Sequence, residues 1–167
     1  RLPFNPHLPS RKPVRLGGVY RFHPEDMDIL LETSRVGEGG RKKKILAIDD
    51  DILVRESLKS LLAREGFEIT MVSSGREALE ILSKEAFDLI LTDMRMPGMN
   101  GIETLKAIRE ARAKFGKGPL PEVIITGYDE PGIREEARKL GVKDFIMKPF
   151  DMVDFVSVLR RNLKSRE

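Results

Sequence analysis

The chain has 167 residues, enough for one globular domain with a buried core and some additional segments. It contains no cysteine, which excludes disulfides, thiolate catalysis and cysteine-ligated zinc. Both histidines, His7 and His23, lie near the start, so a histidine-based catalytic pair is not expected in the body of the chain. The net charge of +3 is uneven, because residues 1–44 carry +5 and the remainder carries −2.

The sequence shows no sign of a membrane protein. No apolar run approaches the roughly 20 residues that a spanning helix needs, and the start lacks the pattern of a signal peptide. We therefore expect a soluble, cytoplasmic protein. The basic run at 41–44 is more typical of a solvated approach to a strand than of a nucleic-acid site, so direct nucleic-acid binding is not expected.

Residues 1–41 are interpreted as a leader and linker. Four prolines within the first 13 residues disfavour helices and central strands. Pro24 and the two acids after it open a short candidate helix to about Arg35, which would be marginal alone. Residues 37–40 form a Gly-rich link. We interpret the leader as a tail or the remnant of an upstream segment, since Arg1 stands in place of Met; an interaction element is the alternative.

Residues 42–165 are predicted to form one domain in which strands and helices alternate. The predicted strands are 45–48, 68–72, 87–93, 123–126 and 144–147, and the predicted helices are 52–64, 76–84, 102–114, 133–140 and 151–163. Strict alternation predicts a doubly wound α/β fold, a five-stranded parallel sheet with right-handed crossovers and helices on both faces.

The stretch from Asp88 to Gly101 carries the first functional indication. An apolar run ends in Thr92 and Asp93, and a Met-Pro-Gly turn follows. Such a run is typical of a strand buried on both faces, and ligands bind at the carboxyl ends of strands in open α/β sheets. Taken alone, Asp93 is equally consistent with an ordinary turn residue.

Other polar residues are predicted to meet Asp93 at this edge. The first strand delivers Asp49 and Asp50, the fourth Thr126, and the fifth Lys148. Three crowded carboxylates need a counter-charge, and Mg²⁺ suits them because it binds carboxylates together with phosphate oxygens. Each residue has an ordinary structural interpretation, and we expect at least one of residues 49–51 to cap a helix. Their joint arrival from four strands favours a site.

This set of residues suits phosphoryl transfer, in which positioning and charge neutralisation dominate. A carboxylate would then be the nucleophile, forming an acyl phosphate. Asp49, Asp50 and Asp51 are consecutive and better placed to share a metal, whereas Asp93 stands alone on a neighbouring central strand. Asp93 is therefore the better candidate acceptor.

Residues from about 43 to 163 resemble the receiver domain of two-component response regulators. The motifs that carry the resemblance are ILAIDDD at 45–51, DLILTDMRMPGMNG at 88–101, VIITGYD at 123–129 and DFIMKPF at 144–150. Four ordered motifs are far more specific than one. The resemblance implies a flavodoxin-like strand order of 2-1-3-4-5.

The resemblance also implies what the site does. Asp93 would be phosphorylated by a histidine kinase or phosphotransfer protein, with Mg²⁺, or Mn²⁺ in its place, held by Asp49, Asp50, Asp93 and the main-chain carbonyl of Met94. Lys148 would contact the phosphoryl group. Such a phosphoacceptor assists its own phosphorylation and dephosphorylation without being an enzyme in the usual sense.

Further positions follow from the same resemblance. Thr126 and Phe145 would move together as a switch, and the Lys148–Pro149 peptide bond would be cis. Arg95 and Tyr128, two residues beyond Asp93 and Thr126, would tune dephosphorylation. Phosphorylation would then change partner affinity through the fourth helix, fifth strand and fifth helix, and a homodimer is a further possibility.

Rival hypotheses remain. A non-phosphorylated receiver could act as a binding scaffold, although none of the five site residues is missing. An aspartyl-phosphate phosphatase usually needs a second acid two residues after its nucleophile. Two residues after Asp93 the chain has Arg95, which is not an acid. The pair Asp49 and Asp51 would satisfy that spacing. Nucleic-acid binding by the basic leader is the third rival.

Overall fold

The computed structural model describes residues 14–16, 19–21, 40–127 and 131–164. The strands are β1 (Val14–Leu16), β2 (Val19–Arg21), β3 (Lys44–Ile48), β4 (Glu68–Val72), β5 (Leu89–Asp93), β6 (Glu122–Thr126) and β7 (Asp144–Met147). The helices are α1 (Ile52–Arg64), α2 (Gly75–Lys84), α3 (Gly101–Lys114), α4 (Pro131–Leu140) and α5 (Met152–Lys164). The candidate helix at 24–35 lies outside the described residues.

Strands β3 to β7 form a parallel sheet in the order β4-β3-β5-β6-β7. Counted from β3, this is the predicted order 2-1-3-4-5, and the predicted fold is confirmed. The central strand β5 lies between β3 and β6. The carboxyl ends of β3, β5 and β6 are therefore neighbours, and the loops that follow them can share one site.

The helices cover both faces of the sheet. Alternate residues along each strand point to opposite faces of the sheet. Helices α1 and α5 pack on the residues of one face, and α2, α3 and α4 pack on those of the other. Strand β5 is buried on both faces, with Leu89, Ile90 and Leu91 at most 1% exposed. This burial explains its continuous apolar sequence and makes it a rigid support for Asp93.

Strands β1 and β2 form an antiparallel hairpin that the sequence analysis did not predict. Strand β2 lies against α1. Prolines exclude central strands but tolerate short edge strands, and a Gly-Gly pair between two short apolar runs is a recognised hairpin signal. Residues 17–18 provide that signal, so the hairpin was accessible to sequence reasoning.

The amino edge of the sheet, opposite the site, is held by ion pairs. Arg41 donates to both carboxylate oxygens of Asp88 at 2.6 and 2.7 Å, and the Lys44 backbone N–H donates to Asp88 at 2.8 Å. Farther along, the Nε of Arg109 donates to both oxygens of the buried Glu122 at 3.0 Å. Arg109 also donates to the carbonyl of Leu140 at the end of α4.

None of the helices within the described residues is both long enough and apolar enough to cross a bilayer.

Candidate phosphoacceptor and metal site

Three carboxylates meet at the carboxyl edge of the sheet. Asp93 is the last residue of β5, while Asp49 and Asp50 directly follow β3. One carboxylate oxygen from each of the three lies within 4.8 Å of the other two. Asp49 is buried, Asp93 is half-buried and Asp50 is exposed. The trio forms a cup that is closed below and open to solvent at Asp50.

Lys148 brings a positive charge to the trio. Its ammonium lies 3.3 Å from an Asp93 oxygen and 3.5 Å from an Asp49 oxygen, with the Lys148 side chain 16% exposed. These distances indicate shared ion pairs rather than short hydrogen bonds. The Lys148–Pro149 peptide bond is cis, as the family resemblance implied. The Lys148 backbone N–H donates to the Thr126 carbonyl at 2.7 Å, which ties the turn to β6.

Burial and crowding set the ionisation of the trio. Burial raises the pKa of Asp93 to about 6, with the charge of Asp49 adding to the shift and Lys148 opposing it. Burial also raises the pKa of Asp49, against the opposing charge of Lys148. The single ammonium of Lys148 therefore does not compensate the charges of Asp49 and Asp93. A site of this kind favours an additional cation, which is what the predicted Mg²⁺ would supply.

Asp51 has a different task from its neighbours. Its side chain accepts from the backbone N–H groups of Leu53 at 2.9 Å and Val54 at 3.4 Å and so caps α1. The Asp51 N–H in turn donates to Asp49 at 2.9 Å. The expected division within residues 49–51 is thus visible, with one acid capping the helix and two facing the cup.

Two residues that the sequence analysis did not single out shape the site. Gly101 opens α3 so close to β5 that an added Cβ would lie 2.5 Å from the Asp93 carbonyl oxygen. Its N–H donates to the Met94 carbonyl at 2.9 Å, leaving that carbonyl one further lone pair for the metal role implied by the resemblance. Arg55 donates to the Asp49 carbonyl at 2.8 Å and fixes the acidic loop.

Thr126 and Phe145 lie on the same face of the sheet. Thr126 ends β6, is 1% exposed and pairs with Met147, whereas Phe145 pairs with Ile124. Since alternate strand residues share a face, the two side chains are diagonal neighbours on the side covered by α4. Phe145 is partly buried there. This placement is compatible with coupled movement, which stays a prediction.

The two remaining candidates are Arg95 and Tyr128. Arg95 is exposed in the loop after β5. Tyr128 lies outside the described residues. The roles suggested for both in tuning dephosphorylation stay predictions, as do the roles of the other site residues.

A parallel five-stranded sheet with an acidic trio and a lysine at its carboxyl edge is the arrangement that the resemblance to receiver domains implied. Residues 45–160 match the family model of the response regulator receiver domain, and the chain belongs to that family. Receiver domains generally accept phosphate from histidine kinases or phosphotransfer proteins, and they typically bind Mg²⁺ at an acidic pocket.

Curated relatives agree with this assignment. The chain is 36% identical over 126 residues to the transcriptional regulatory protein FixJ of Bradyrhizobium diazoefficiens, covering 75% of this chain and 59% of FixJ. It is 37% identical to the transcriptional regulatory protein ZraR of Escherichia coli K12, covering 71% of this chain and 26% of ZraR. It is 35% identical to the sporulation initiation phosphotransferase F of Bacillus subtilis, covering 72% and 94%. The matched region thus spans little more than half of FixJ and about a quarter of ZraR.

Solved structures show the same fold. The chemotaxis protein CheY4 of Vibrio cholerae superposes with a TM-score of 0.66 at 32% identity, covering 73% of this chain and 99% of CheY4. A CheY-like receiver domain protein of Methanospirillum hungatei gives a TM-score of 0.68 at 28% identity, covering 75% and 96%.

Proposed function

We propose that this chain is a phosphorylation-driven signalling switch in which Asp93 accepts the phosphoryl group. The observation that carries the proposal is the position of Asp93 within the trio. It ends the central strand, lies 3.3 Å from the Lys148 ammonium, and its side chain keeps 12% exposure where that of Asp49 keeps 4%. Asp93 is thus held rigidly beside a cation and remains accessible to a donor.

The chemistry is a transfer between two nucleophiles. An Asp93 oxygen attacks the phosphorus of a phosphohistidine, forming an acyl phosphate as the bond from phosphorus to the histidine nitrogen breaks. The nitrogen keeps the electron pair of that bond. Lys148 neutralises the phosphoryl oxygens, and the Thr126 hydroxyl can donate a hydrogen bond to one of them.

The residues present fit a divalent metal. Asp49, Asp50 and Asp93 offer carboxylate oxygens within 4.8 Å of each other, and the Met94 carbonyl is the proposed fourth ligand. When bound, Mg²⁺ supplies charge neutralisation for the carboxylates and for the transferring oxygens.

A protein donor has an apolar surface to dock on beside the site. In the described part of the chain, three of the four large apolar side chains that stand exposed are Ile52, Leu53 and Val153, at 61%, 48% and 46% exposure. They lie at the N-terminal ends of α1 and α5, the ends nearest the acidic cup. A histidine kinase or phosphotransfer protein that covered them would bring its phosphohistidine to Asp93.

Phosphorylation would act as a population shift. Phosphate on Asp93 draws Thr126 towards it, and the space that Thr126 leaves favours inward packing of Phe145. The surface formed by α4, β7 and α5 then changes its affinity for a downstream partner.

The test uses acetyl phosphate as a small donor, with Mg²⁺, and intact mass as the readout. We expect wild type to gain one phosphoryl group, which chelation of the metal prevents. Asp93→Asn should gain none, while Asp51→Asn, whose side chain can still cap α1, should gain as much as wild type. An unlabelled wild type, or labelling of Asp93→Asn equal to wild type, would refute the assignment.

Two of the rivals, the binding scaffold and the phosphatase, give different results. A binding scaffold needs no metal, so an NMR titration with Mg²⁺ would leave the resonances of residues 49, 50 and 93 unmoved. A phosphatase would turn over a phosphomonoester continuously. The capping role of Asp51 argues against the phosphatase, because that carboxylate is engaged with the start of α1.

A further inference from the structure

The first turn of α4 places a cation over the aromatic ring of β7. The guanidinium carbon of Arg134 lies 5.9 Å from the centroid of the Phe145 ring. This is within the range at which an arginine is attracted to a ring face. The other side of Phe145 packs with the apolar residues beneath α4. The ring is therefore held between the core and an exposed arginine.

Helix α4 is lightly held elsewhere along its N-terminal half. Ala137 is its one buried residue, while Ile133 and Leu140 are partly buried. Its C-terminal end is fixed more firmly, because Arg109 donates to the Leu140 carbonyl and is itself held by the buried Glu122. One end of α4 is thus tied to the sheet edge, and the other depends on contacts such as that of Arg134.

We propose that Arg134 is a positioning residue that latches the N-terminal half of α4 over Phe145 in the unphosphorylated chain and so sets how readily the switch turns. The inference deepens the proposed function and rests on it. Arg134 can contact the ring only while Phe145 is partly buried. Inward movement of Phe145 would withdraw the ring face from the exposed guanidinium. Breaking the contact therefore favours the inward state.

The expected effect follows from the strength of such contacts. A cation over an aromatic ring at an exposed site changes a two-state equilibrium by about two- to five-fold. Arg134→Gln, which removes the charge while keeping much of the side chain, should raise the population with Phe145 inward by that factor. The rate of labelling by acetyl phosphate should rise by the same factor, since the phosphorylated form uses that state.

The experiment compares four variants with wild type in two measurements. Ring NMR signals of Phe145, assigned with Phe145→Leu, report its position without phosphate, and intact mass reports the rate of labelling with acetyl phosphate and Mg²⁺. Arg134→Gln should move the Phe145 signals in the direction that phosphorylation moves them and should be labelled faster. Arg134→Lys retains a cation and should stay close to wild type. Arg138→Ala, on the same helix but paired with Glu135 at 3.0 Å, is the matched control and should change neither.

Two outcomes would overturn the latch. One is that Arg134→Gln leaves both the Phe145 signals and the labelling rate at their wild-type values. The other is that Arg134→Lys behaves like Arg134→Gln, which would make the charge irrelevant. Failure of the proposed function would look different, because wild type itself would then take no phosphate. The Phe145 signals of unphosphorylated Arg134→Gln, compared with those of wild type, would still test whether Arg134 holds the ring.

Discussion

At the scale of single residues, the site is a place where folding and function oppose each other. Asp49 is buried and Asp93 is half-buried beside it, Lys148 forms ion pairs with both, and burial raises the pKa of each. Because the folded-state pKa of Asp93 lies near 6, its ionised form costs stability at neutral pH. That cost is absent below the unfolded value near 4 and complete above about 6. Without metal, the ionised form of Asp93 therefore lowers the free energy of unfolding at neutral pH.

The first prediction is therefore that Asp93→Asn stabilises the metal-free protein at pH 7. We expect the free energy of unfolding in urea to rise by about 1–2 kcal/mol, since the neutral amide avoids the burial of a charge. The gain should vanish at pH values below about 4. Adding Mg²⁺ should stabilise wild type more than the variant, because the metal binds the folded trio.

Asp51→Asn is the control for this prediction. It changes an adjacent acid to an amide but preserves a capping side chain, so its stability should stay near that of wild type. A loss of stability in metal-free Asp93→Asn would contradict the prediction.

The second prediction concerns Gly101, where helix α3 touches the backbone beneath Asp93. An added methyl would lie 2.5 Å from the Asp93 carbonyl oxygen and 3.0 Å from the Met94 Cα. We expect Gly101→Ala to cost about 1–3 kcal/mol in urea unfolding, since backbone must shift to relieve the overlap. It should also slow labelling by acetyl phosphate. Gly118→Ala, where a Cβ meets nothing within 4 Å, should do neither.

These residues show which parts of the site could be read from sequence. The sequence predicted that Asp49, Asp93 and Lys148 lie close together, because each follows or ends a predicted parallel strand. The carboxyl ends of parallel strands lie at one edge of the sheet. The need for Gly101 could not be foreseen. It depends on a distance between a helix start and a neighbouring backbone, which is fixed only when the core has packed.

At the scale of elements, ion pairs stabilise the amino edge of the sheet, and the acidic trio lies at its carboxyl edge. The amino edge carries the pair of Arg41 and Asp88 and the buried pair of Arg109 and Glu122. The alternation of strands and helices predicted the elements, since each strand is a short apolar run and each helix an amphipathic one. The alternation could not predict which lysine or arginine side chains form ion pairs with Asp88 and Glu122, because the pairing depends on how the folded elements pack.

The third prediction follows from the burial of Glu122, whose side chain is 2% exposed. Arg109→Met should cost about 3 kcal/mol in urea unfolding, because it leaves a buried carboxylate without its partner. The double variant Arg109→Met with Glu122→Gln should recover part of that loss. Lys106→Met breaks a pair in which both side chains are about half exposed, and should cost less than about 1 kcal/mol.

The fourth prediction is a pH dependence at Asp88. The hydrogen bond from Arg41 lowers the pKa of this carboxyl, with burial opposing and the Lys44 N–H assisting. A lowered pKa gives stability that is present above the unfolded value near 4 and is lost as pH falls through the folded value. Asp88→Asn should therefore be less stable than wild type at pH 7, by no more than about 1 kcal/mol because Arg41 is 71% exposed.

The difference between Asp88→Asn and wild type should disappear once the pH falls below the lowered pKa of Asp88, which urea unfolding at several acidic pH values would measure. Glu56→Gln, at an exposed position on α1, serves as the control and should track wild type throughout. A gap that persisted unchanged into acid would contradict the assignment to a carboxylate.

At the scale of the whole molecule, the receiver fold extends from β3 to α5 among the described residues. Both clusters of buried apolar residues are built from elements between β3 and α5. The hairpin of β1 and β2 adds a contact on α1. We therefore expect the domain boundary predicted at residue 42 to lie outside this core.

The fifth prediction is that residues 42–165 fold alone. Urea unfolding should be cooperative and should give a free energy close to that of the whole chain. A fragment of residues 40–165, which retains Arg41 and its pair with Asp88, is the matched comparison and should be slightly more stable. Non-cooperative unfolding of the shorter fragment would show that the boundary lies elsewhere.

The close contact of α2 with α3 divides one face of the molecule into two mechanical parts. A Cβ at Gly75 would lie 2.4 Å from the Thr104 hydroxyl, so these two helices meet without room for a further methyl. Helix α4 beside them has one buried residue and therefore few buried contacts to lose if it moves. If phosphorylation draws Thr126 away from its place on β6, as proposed, we expect α4 to shift more readily than α2 or α3. Uneven packing on this face would then decide which helix responds.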